Sequence, residues 1–110
     1  MTEEKPRLST IGAVLKSIHE LPWNHALYLP SGETWLLSTK CAVLDPDDCE
    51  DEEEEPAFAR ESGLGYALGI QDVRGVVENA RQQKPDIDLA TLLQSLRYYY
   101  DNDAFMELPA

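Results

Sequence analysis

The side chains best suited to chemistry in this chain are the carboxylates of one short acidic run, residues 45–55. Carboxylates at high density solvate a loop, bind cations or attract a basic partner. The full chain has 21 acidic and 9 basic side chains and a net charge of −12, so the residues outside the run are nearly balanced. Nine of the eleven residues in the run are acidic: Asp45, Asp47, Asp48, Glu50, Asp51, Glu52, Glu53, Glu54 and Glu55.

A calcium-binding loop of the EF-hand type does not fit the acidic run. Such a loop needs oxygen ligands at its first, third and fifth positions, glycine at the sixth and glutamate at the twelfth. Counted from Asp45, the fifth, sixth and twelfth residues are Cys49, Glu50 and Pro56. We therefore expect weak, non-specific binding of divalent cations and no dedicated metal site.

The two histidines and two cysteines do not have the spacing of a structural zinc site either. His19, His25, Cys41 and Cys49 follow one another at intervals of six, sixteen and eight residues, without the short paired spacings that zinc sites use. Cys41 lies in an apolar stretch, where a buried and unreactive thiol is usual. The chain also lacks a nucleophile elbow, a phosphate loop and a dinucleotide fingerprint. We therefore predict neither an enzyme nor a cofactor.

A second candidate for partner contact is the run of three tyrosines at positions 98–100 and the acids that follow it. Three consecutive helical residues spread over about 200°, so their rings cannot all face one core. The leucine spacing before them turns Tyr98 outward and leaves the other two to close the core with their hydroxyls in water. Exposed tyrosine beside aspartate suits an arginine-rich surface. Tyr98, Asp101 and Asp103 therefore join the acidic run as predicted partner-binding residues, whereas Trp23 and Trp35 are expected in the core.

The elements that must position these residues begin with a helix and a hairpin. Apolar spacing predicts a helix over residues 11–20, capped by Ser9 or Thr10. Strands are predicted at residues 26–29 and 34–44, paired as an antiparallel hairpin. The acidic run follows as a loop, residues 45–56, which is either a solvated linker or a docking surface. A third strand is predicted at residues 64–70.

Two helices complete the predicted fold. One begins at Asp72 as its N-cap and ends before Pro85, with valines at core-facing spacing. The last begins after its N-cap Asp88, and Ile87 is placed to pack against Leu92. The order α-β-β-β-α-α predicts an α+β fold in one domain, residues 1–110. In this fold a small antiparallel sheet of two to three strands packs against about three helices.

Composition limits the cellular setting and the classes of partner. The first residues are polar and lack the apolar core of a signal peptide, and no apolar run approaches the length that spans a bilayer. We therefore predict a cytoplasmic protein with free thiols, a Cys41–Cys49 disulfide being the alternative. The net charge disfavours direct binding to nucleic acid or to anionic membranes, because both attract cationic surfaces.

Four stretches between residues 21 and 105 resemble a family of small, uncharacterised bacterial cytoplasmic proteins. Such proteins are similar in size and acidity to the immunity proteins of toxin–immunity pairs, including those of contact-dependent inhibition systems. The resemblance implies binding to a cognate toxin domain, often a basic nuclease, which is blocked without catalysis; it transfers no role to any single residue. The stretches are LPWNHALYLPSGETWLLST, CAVLDPDD, GLGYALGIQDVRGVVENARQQKP and LLQSLRYYYDNDAF.

The predicted function is therefore that of an immunity protein that binds a basic toxin domain and occludes its active surface. In this hypothesis the acidic run steers association and the tyrosine end of the last helix adds local contacts. One alternative is a non-catalytic regulatory or adaptor domain in which the acidic loop is incidental. Another is a mimic of nucleic acid, which requires carboxylates spaced like phosphates on an ordered surface.

Overall fold

An antiparallel sheet of four strands organises the computed structural model, which describes residues 8–47 and 56–108. The strands are β1 (Ser9–Thr10), β2 (Ala26–Pro30), β3 (Lys40–Leu44) and β4 (Leu64–Gly69). Their order across the sheet is β1-β3-β2-β4, so the predicted hairpin is formed by β2 and β3, and the third predicted strand pairs with the other edge of β2. The short first strand was not predicted, and it pairs with β3 through two residues.

Four α-helices accompany the sheet in the described part of the chain, so the predicted α+β class is confirmed while the numbers of strands and helices are corrected. The unpredicted helix is α2, five residues long, which follows the acidic run. None of the helices within residues 8–47 and 56–108 is long and apolar enough to cross a membrane. The helices are α1 (Ile11–Lys16), α2 (Ala57–Glu61), α3 (Ile70–Gln83) and α4 (Leu89–Asn102).

The helix ends follow the predicted caps in two cases and differ in two others. Thr10 caps α1 by accepting from the Ala13 N–H at 3.2 Å, and Asp88 caps α4 by accepting from the Thr91 N–H at 2.8 Å. The α1 helix ends at Lys16, where the Ser17 hydroxyl donates back to the Ala13 carbonyl, and a 3₁₀ turn (Ile18–Glu20) takes the place of its predicted last turn. The N-cap of α3 is Gly69, which places Asp72 inside the first turn and not at the predicted cap position.

The predicted long strand over residues 34–44 is wrong in its first half. Only Lys40–Leu44 is a strand, because the preceding backbone pairs with the start of α1 instead of with β2. The Gly12 N–H donates to the Leu37 carbonyl at 2.9 Å and the Ile11 N–H donates to the Thr39 carbonyl at 3.1 Å. The first N–H groups of a helix have no partner within the helix, so this loop satisfies donors that the helix leaves free.

Helices cover both faces of the sheet, which explains why the side chains of residues 26–29 in β2 are all buried. One face carries Leu27, Leu29 and Cys41 and packs against α1, α3 and α4. The other face forms a smaller core with Phe58 and Ala59 of α2. The sheet residues of that smaller core are Ala26, Tyr28, Ala42, Leu44 and Leu64.

A bulge in the pairing of β2 with β4 decides which side chains of β4 face each core. Leu27 pairs with Leu68 while the adjacent Tyr28 pairs with Tyr66, so Ala67 is the extra residue. The ring of Tyr66 therefore meets the ring of Tyr28 on the α2 side, edge to face at 5.7 Å, whereas Leu68 joins the core on the opposite side. Simple alternation along the sequence would have placed Tyr66 and Leu68 on the same face.

Candidate functional site

The C-terminal end of α4 presents aromatic and acidic side chains together at the surface. Leu92 and Leu96 bury the inner face of the helix, and as predicted this turns Tyr98 outward, with 41% of its surface exposed. Asp101 and Asp103 are exposed on the last turn and just beyond it. The structure therefore places the three predicted contact residues of this segment at the surface, and we call Tyr98, Tyr100, Asp101 and Asp103 the α4 end.

The carboxylates of Asp101 and Asp103 interact unfavourably with the dipole of α4. The last turn of α4 contains no basic residue, although the C-terminus of a helix carries a partial negative charge. Asp103 adopts the left-handed conformation (φ 53°), and its N–H donates to the Tyr99 carbonyl at 2.8 Å. Each unfavourable carboxylate at such an end costs about 0.3–1 kcal/mol. These two acids therefore do not serve the stability of the helix.

The other two tyrosines have different environments. Tyr99 is partly buried against the main core and stacks on Phe105 at 5.5 Å, with the two rings inclined by 30°. Its hydroxyl donates a long hydrogen bond of 3.5 Å to Asp72, and the nearby Asp72 carboxylate raises the pKa of Tyr99. Tyr100 packs against Trp35 with ring centroids 4.8 Å apart and is 49% exposed. Tyr99 thus closes the core as predicted, whereas Tyr100 remains available for contact.

An open cleft of about 370 Å³ lies between the α4 end and the connection from β2 to β3. Small residues of β4, Gly65 and Ala67, leave space beneath the last turn of α4. Arg97 contributes the only cation of the lining, and no carboxylate of residues 8–47 and 56–108 lies within ion-pairing distance of it. The aromatic and charged residues of the lining are Glu33, Trp35, Tyr66, Arg97, Tyr100 and Asp101.

Sequence reasoning missed this cleft because its lining combines residues of a predicted turn, predicted strands and a predicted helix that are far apart in the chain. Trp35 was predicted in the core and is buried, with 9% exposed, but its ring also forms a cleft wall. Glu33 and Arg97 gave no local signal, since each is an isolated charge in the sequence. The prediction that Trp23 is buried is wrong, because it lies in the turn after Pro22 and is 63% exposed.

The acidic run begins at the opposite end of the sheet from the cleft. Asp45 follows β3 directly, and its carboxylate accepts from the Asp47 N–H at 2.9 Å. Antiparallel pairing sets Leu44 beside Ala26, whereas the cleft adjoins Pro30 at the other end of β2. Four residues of a strand span about 13 Å. The structure therefore separates Asp45 from the α4 end, and the seven predicted acids from Asp48 to Glu55 lie outside the described residues.

The remaining candidates for chemistry do not form a site. Cys41 is buried, as predicted, and desolvation raises the pKa of its thiol to about 12, which disfavours the reactive thiolate. His19 lies 3.9 Å from Glu78 at the surface, and His25 is half-buried before β2. Residues 8–47 and 56–108 contain no cluster of three potential metal ligands. Cys49 lies outside these ranges, so the alternative of a disulfide stays a prediction.

The fold and the surface together define an α+β domain with an acidic and aromatic helix end beside an open cleft. The chain belongs to the family described as a domain of unknown function (DUF7716), whose model matches residues 8–108. No curated protein and no solved structure matches the chain.

Proposed function

We propose that this chain is a non-catalytic cytoplasmic protein that binds a basic partner domain. As an immunity protein it would bind a cognate toxin domain, possibly a nuclease, and occlude its active surface. The observation that carries this proposal is the α4 end, where Tyr98, Tyr100, Asp101 and Asp103 are all exposed and the last turn contains no basic residue. Tyrosine is enriched at binding hot spots, and carboxylates select cationic partners.

The energetics of the α4 end support a role in binding. Asp101 and Asp103 lie where the helix dipole disfavours negative charge, so removing that charge is expected to stabilise the free protein. A basic partner reverses the sign of this interaction, because its cations neutralise both the carboxylates and the helix terminus. Surface residues that cost stability in the free protein and gain it in a complex are typical of binding sites.

The acidic run would act mainly on the rate of association. Its nine carboxylates create a field that attracts a cationic surface before contact, and such steering raises association rates more than it strengthens the final complex. The Debye length at physiological salt is about 8 Å, so this contribution falls steeply as salt is added.

One observation favours the regulatory or adaptor alternative. The acidic run begins at the end of the sheet opposite the α4 end, so a small partner domain bound at α4 would not have to contact the start of the run. In an adaptor of this kind the run would be incidental, and its removal would leave binding intact.

The proposal is tested by capturing the partner and then measuring what the α4 end contributes. Tagged protein is used to recover partners from nuclease-treated host lysate at low and high salt. The association and dissociation rates of a recovered basic domain are then measured against Asp101→Asn/Asp103→Asn. We expect this variant to gain about 0.5–2 kcal/mol in unfolding free energy and to bind at least about tenfold more weakly.

The matched control removes two exposed acids elsewhere, Glu20→Gln/Asp86→Asn, and should bind like the parent protein. Inhibition of the captured domain's own activity by the parent protein would identify it as the neutralised toxin. Equal weakening by both double variants would show that only net charge matters and would contradict a specific site at the α4 end. Recovery of a mixture of basic proteins that is lost at high salt would contradict the immunity function.

A further inference from the structure

We infer that the cleft beside the α4 end binds an arginine side chain of the partner. This inference deepens the proposed function and rests on it for the source of the arginine. The cleft combines the half-exposed ring of Tyr100, which packs on Trp35, with carboxylates that have no ion-pair partner among the described residues. It is too small and open to enclose a large cofactor. Its volume, about 370 Å³, lies at the low end of the range for small-molecule sites.

The aromatic walls provide the first part of the recognition. Trp35 and Tyr100 pack at 4.8 Å with their rings inclined by 54°, which holds the half-exposed Tyr100 ring in place. Tyr100 keeps 49% of its surface exposed, so its ring is accessible from the cleft. A planar guanidinium stacks on such rings and gains a cation–π interaction, for which tryptophan and tyrosine are the favoured partners.

The charged residues provide the second part and determine the sign of the ligand. Glu33 and Asp101 line the cleft with two carboxylates against the single cation of Arg97, so the lining has a net charge of −1. Arg97 lies one helical turn before Asp101 but forms no ion pair with it, so the carboxylates remain available as acceptors. A guanidinium has five N–H donors, enough to reach both acids. Arg97 should therefore compete with the incoming arginine.

The test uses Nα-acetyl-arginine amide and its neutral analogue Nα-acetyl-citrulline amide, titrated into the full chain at constant ionic strength. Binding is followed by the indole N–H resonances in proton–nitrogen NMR spectra. The chain has two tryptophans, so the cleft residue Trp35 reports binding and the exposed Trp23 serves as an internal reference. We expect a saturable shift at Trp35 and none at Trp23, with citrulline binding at least about threefold more weakly.

Three single variants test how each charged residue of the cleft contributes to arginine binding. Glu33→Gln and Asp101→Asn should each weaken arginine binding by about threefold, whereas Arg97→Gln should strengthen it by a similar factor. Equal binding of citrulline, the absence of a saturable shift, or a loss of binding in Arg97→Gln would each overturn the inference. A stronger response to Nα-acetyl-glutamate amide would also overturn it, because that result would identify an anion site on Arg97.

The titration tests arginine binding in the cleft independently of the proposed function, because it requires no partner protein. Recovery of a basic partner without arginine-selective binding in the cleft would overturn this inference alone. Arginine-selective binding would support the inference even if the recovered partner proved to be an adaptor target and not a toxin.

Discussion

The thiol of Cys41 illustrates how burial alone sets the chemistry of a residue. It lies on the sheet face that packs against α1, α3 and α4, where desolvation disfavours the thiolate and raises its pKa to about 12. The same residue type next to a cation or at a helix N-terminus would be reactive. The environment therefore decides that Cys41 is a packing residue and not a nucleophile.

We predict that Cys41 reacts with thiol reagents only when the protein unfolds. In a Cys49→Ser background at pH 8, the rate of labelling by a disulfide reagent should follow the unfolded fraction as urea is added, rising by at least about a hundredfold between native and unfolded conditions. Rapid labelling in the absence of denaturant, with a circular dichroism spectrum unchanged, would contradict the buried position of this thiol.

The raised pKa of Cys41 also means that the stability of the protein should decrease at high pH. Because the folded-state pKa lies above the ordinary value of 9.0, its contribution is complete below about pH 9 and is lost as the pH rises toward about 12. Urea unfolding of Cys49→Ser should thus lose stability between pH 9 and pH 11. The loss should be smaller in Cys41→Ala/Cys49→Ser, which keeps the tyrosines and lysines but lacks the thiol.

At the scale of elements, Gly12 and Gly75 are both helical glycines with opposite surroundings. A Cβ atom on Gly12 would lie 3.2 Å from the backbone carbonyl oxygen of Leu37, which is held there by the hydrogen bond from Gly12 itself. A Cβ atom on Gly75 would meet only the ring edge of Phe105 at an ordinary 3.9 Å. Close approach of the loop therefore requires glycine in α1, whereas nothing comparable requires it in α3.

We predict that alanine at these two positions changes stability in opposite directions. Gly75→Ala should stabilise the protein by about 0.5–1 kcal/mol, the usual gain in helix propensity. Gly12→Ala should destabilise it by about 1 kcal/mol, because the free-energy cost of displacing the loop is larger than the gain in helix propensity. Urea unfolding monitored by circular dichroism measures both, and a stabilised Gly12→Ala variant would show that the loop moves without cost.

The N-cap of α4 should make the stability of the protein depend on pH under acidic conditions. Hydrogen bonds from Thr91 to the Asp88 carboxylate lower the pKa of this cap below its ordinary value of 3.8. A lowered folded-state pKa means that the contribution is present above about pH 3.8 and is lost as the pH falls through the folded value. Asp88→Asn retains a capping oxygen without the charge, so its stability should vary less with pH below 4 than that of the parent protein.

Thermal unfolding of the parent protein and Asp88→Asn between pH 2.5 and pH 6 checks this prediction. The matched control is Asp86→Asn, which removes an exposed acid two residues away that is not an N-cap. If Asp86→Asn flattened the acid dependence as much as Asp88→Asn, the effect would come from net charge and not from the cap.

At the scale of the whole molecule, the charge is divided between an acidic run and a nearly balanced remainder. In the proposed function, the acidic run speeds association with a basic partner and the α4 end contacts that partner. Neutralising Glu52–Glu55 to glutamine should lower the association rate by about tenfold at low salt and flatten its salt dependence, with little change in dissociation. Stopped-flow mixing with the captured partner measures both rates.

The control for that experiment removes the same number of charges outside the run. It changes four exposed acids, Glu20, Glu61, Asp86 and Glu107, to their amides. An equal fall in association rate would assign steering to net charge. An unchanged rate in the run variant would favour an adaptor in which the run is incidental.

The features that depend on a local pattern of residues could be predicted from the sequence. The spacing of Val73, Val76 and Val77 marked the buried face of α3, and Asp88 marked the start of α4, because helix periodicity and capping are encoded within one or two turns. Similar local patterns predicted that Tyr98 points outward and that Cys41 is buried in a strand. The α+β class followed from the order of these elements.

The features that depend on residues far apart in the chain became visible only in the three-dimensional fold. The hydrogen bonds from α1 to residues 37 and 39 delay the start of β3 to Lys40, and the bulge at Ala67 exchanges the faces of β4. Neither feature has a local signature, since each satisfies backbone groups or packing needs of a distant element. The cleft at Trp35 and Tyr100 arises for the same reason: it exists where a loop, a strand and a helix end meet without filling the space between them.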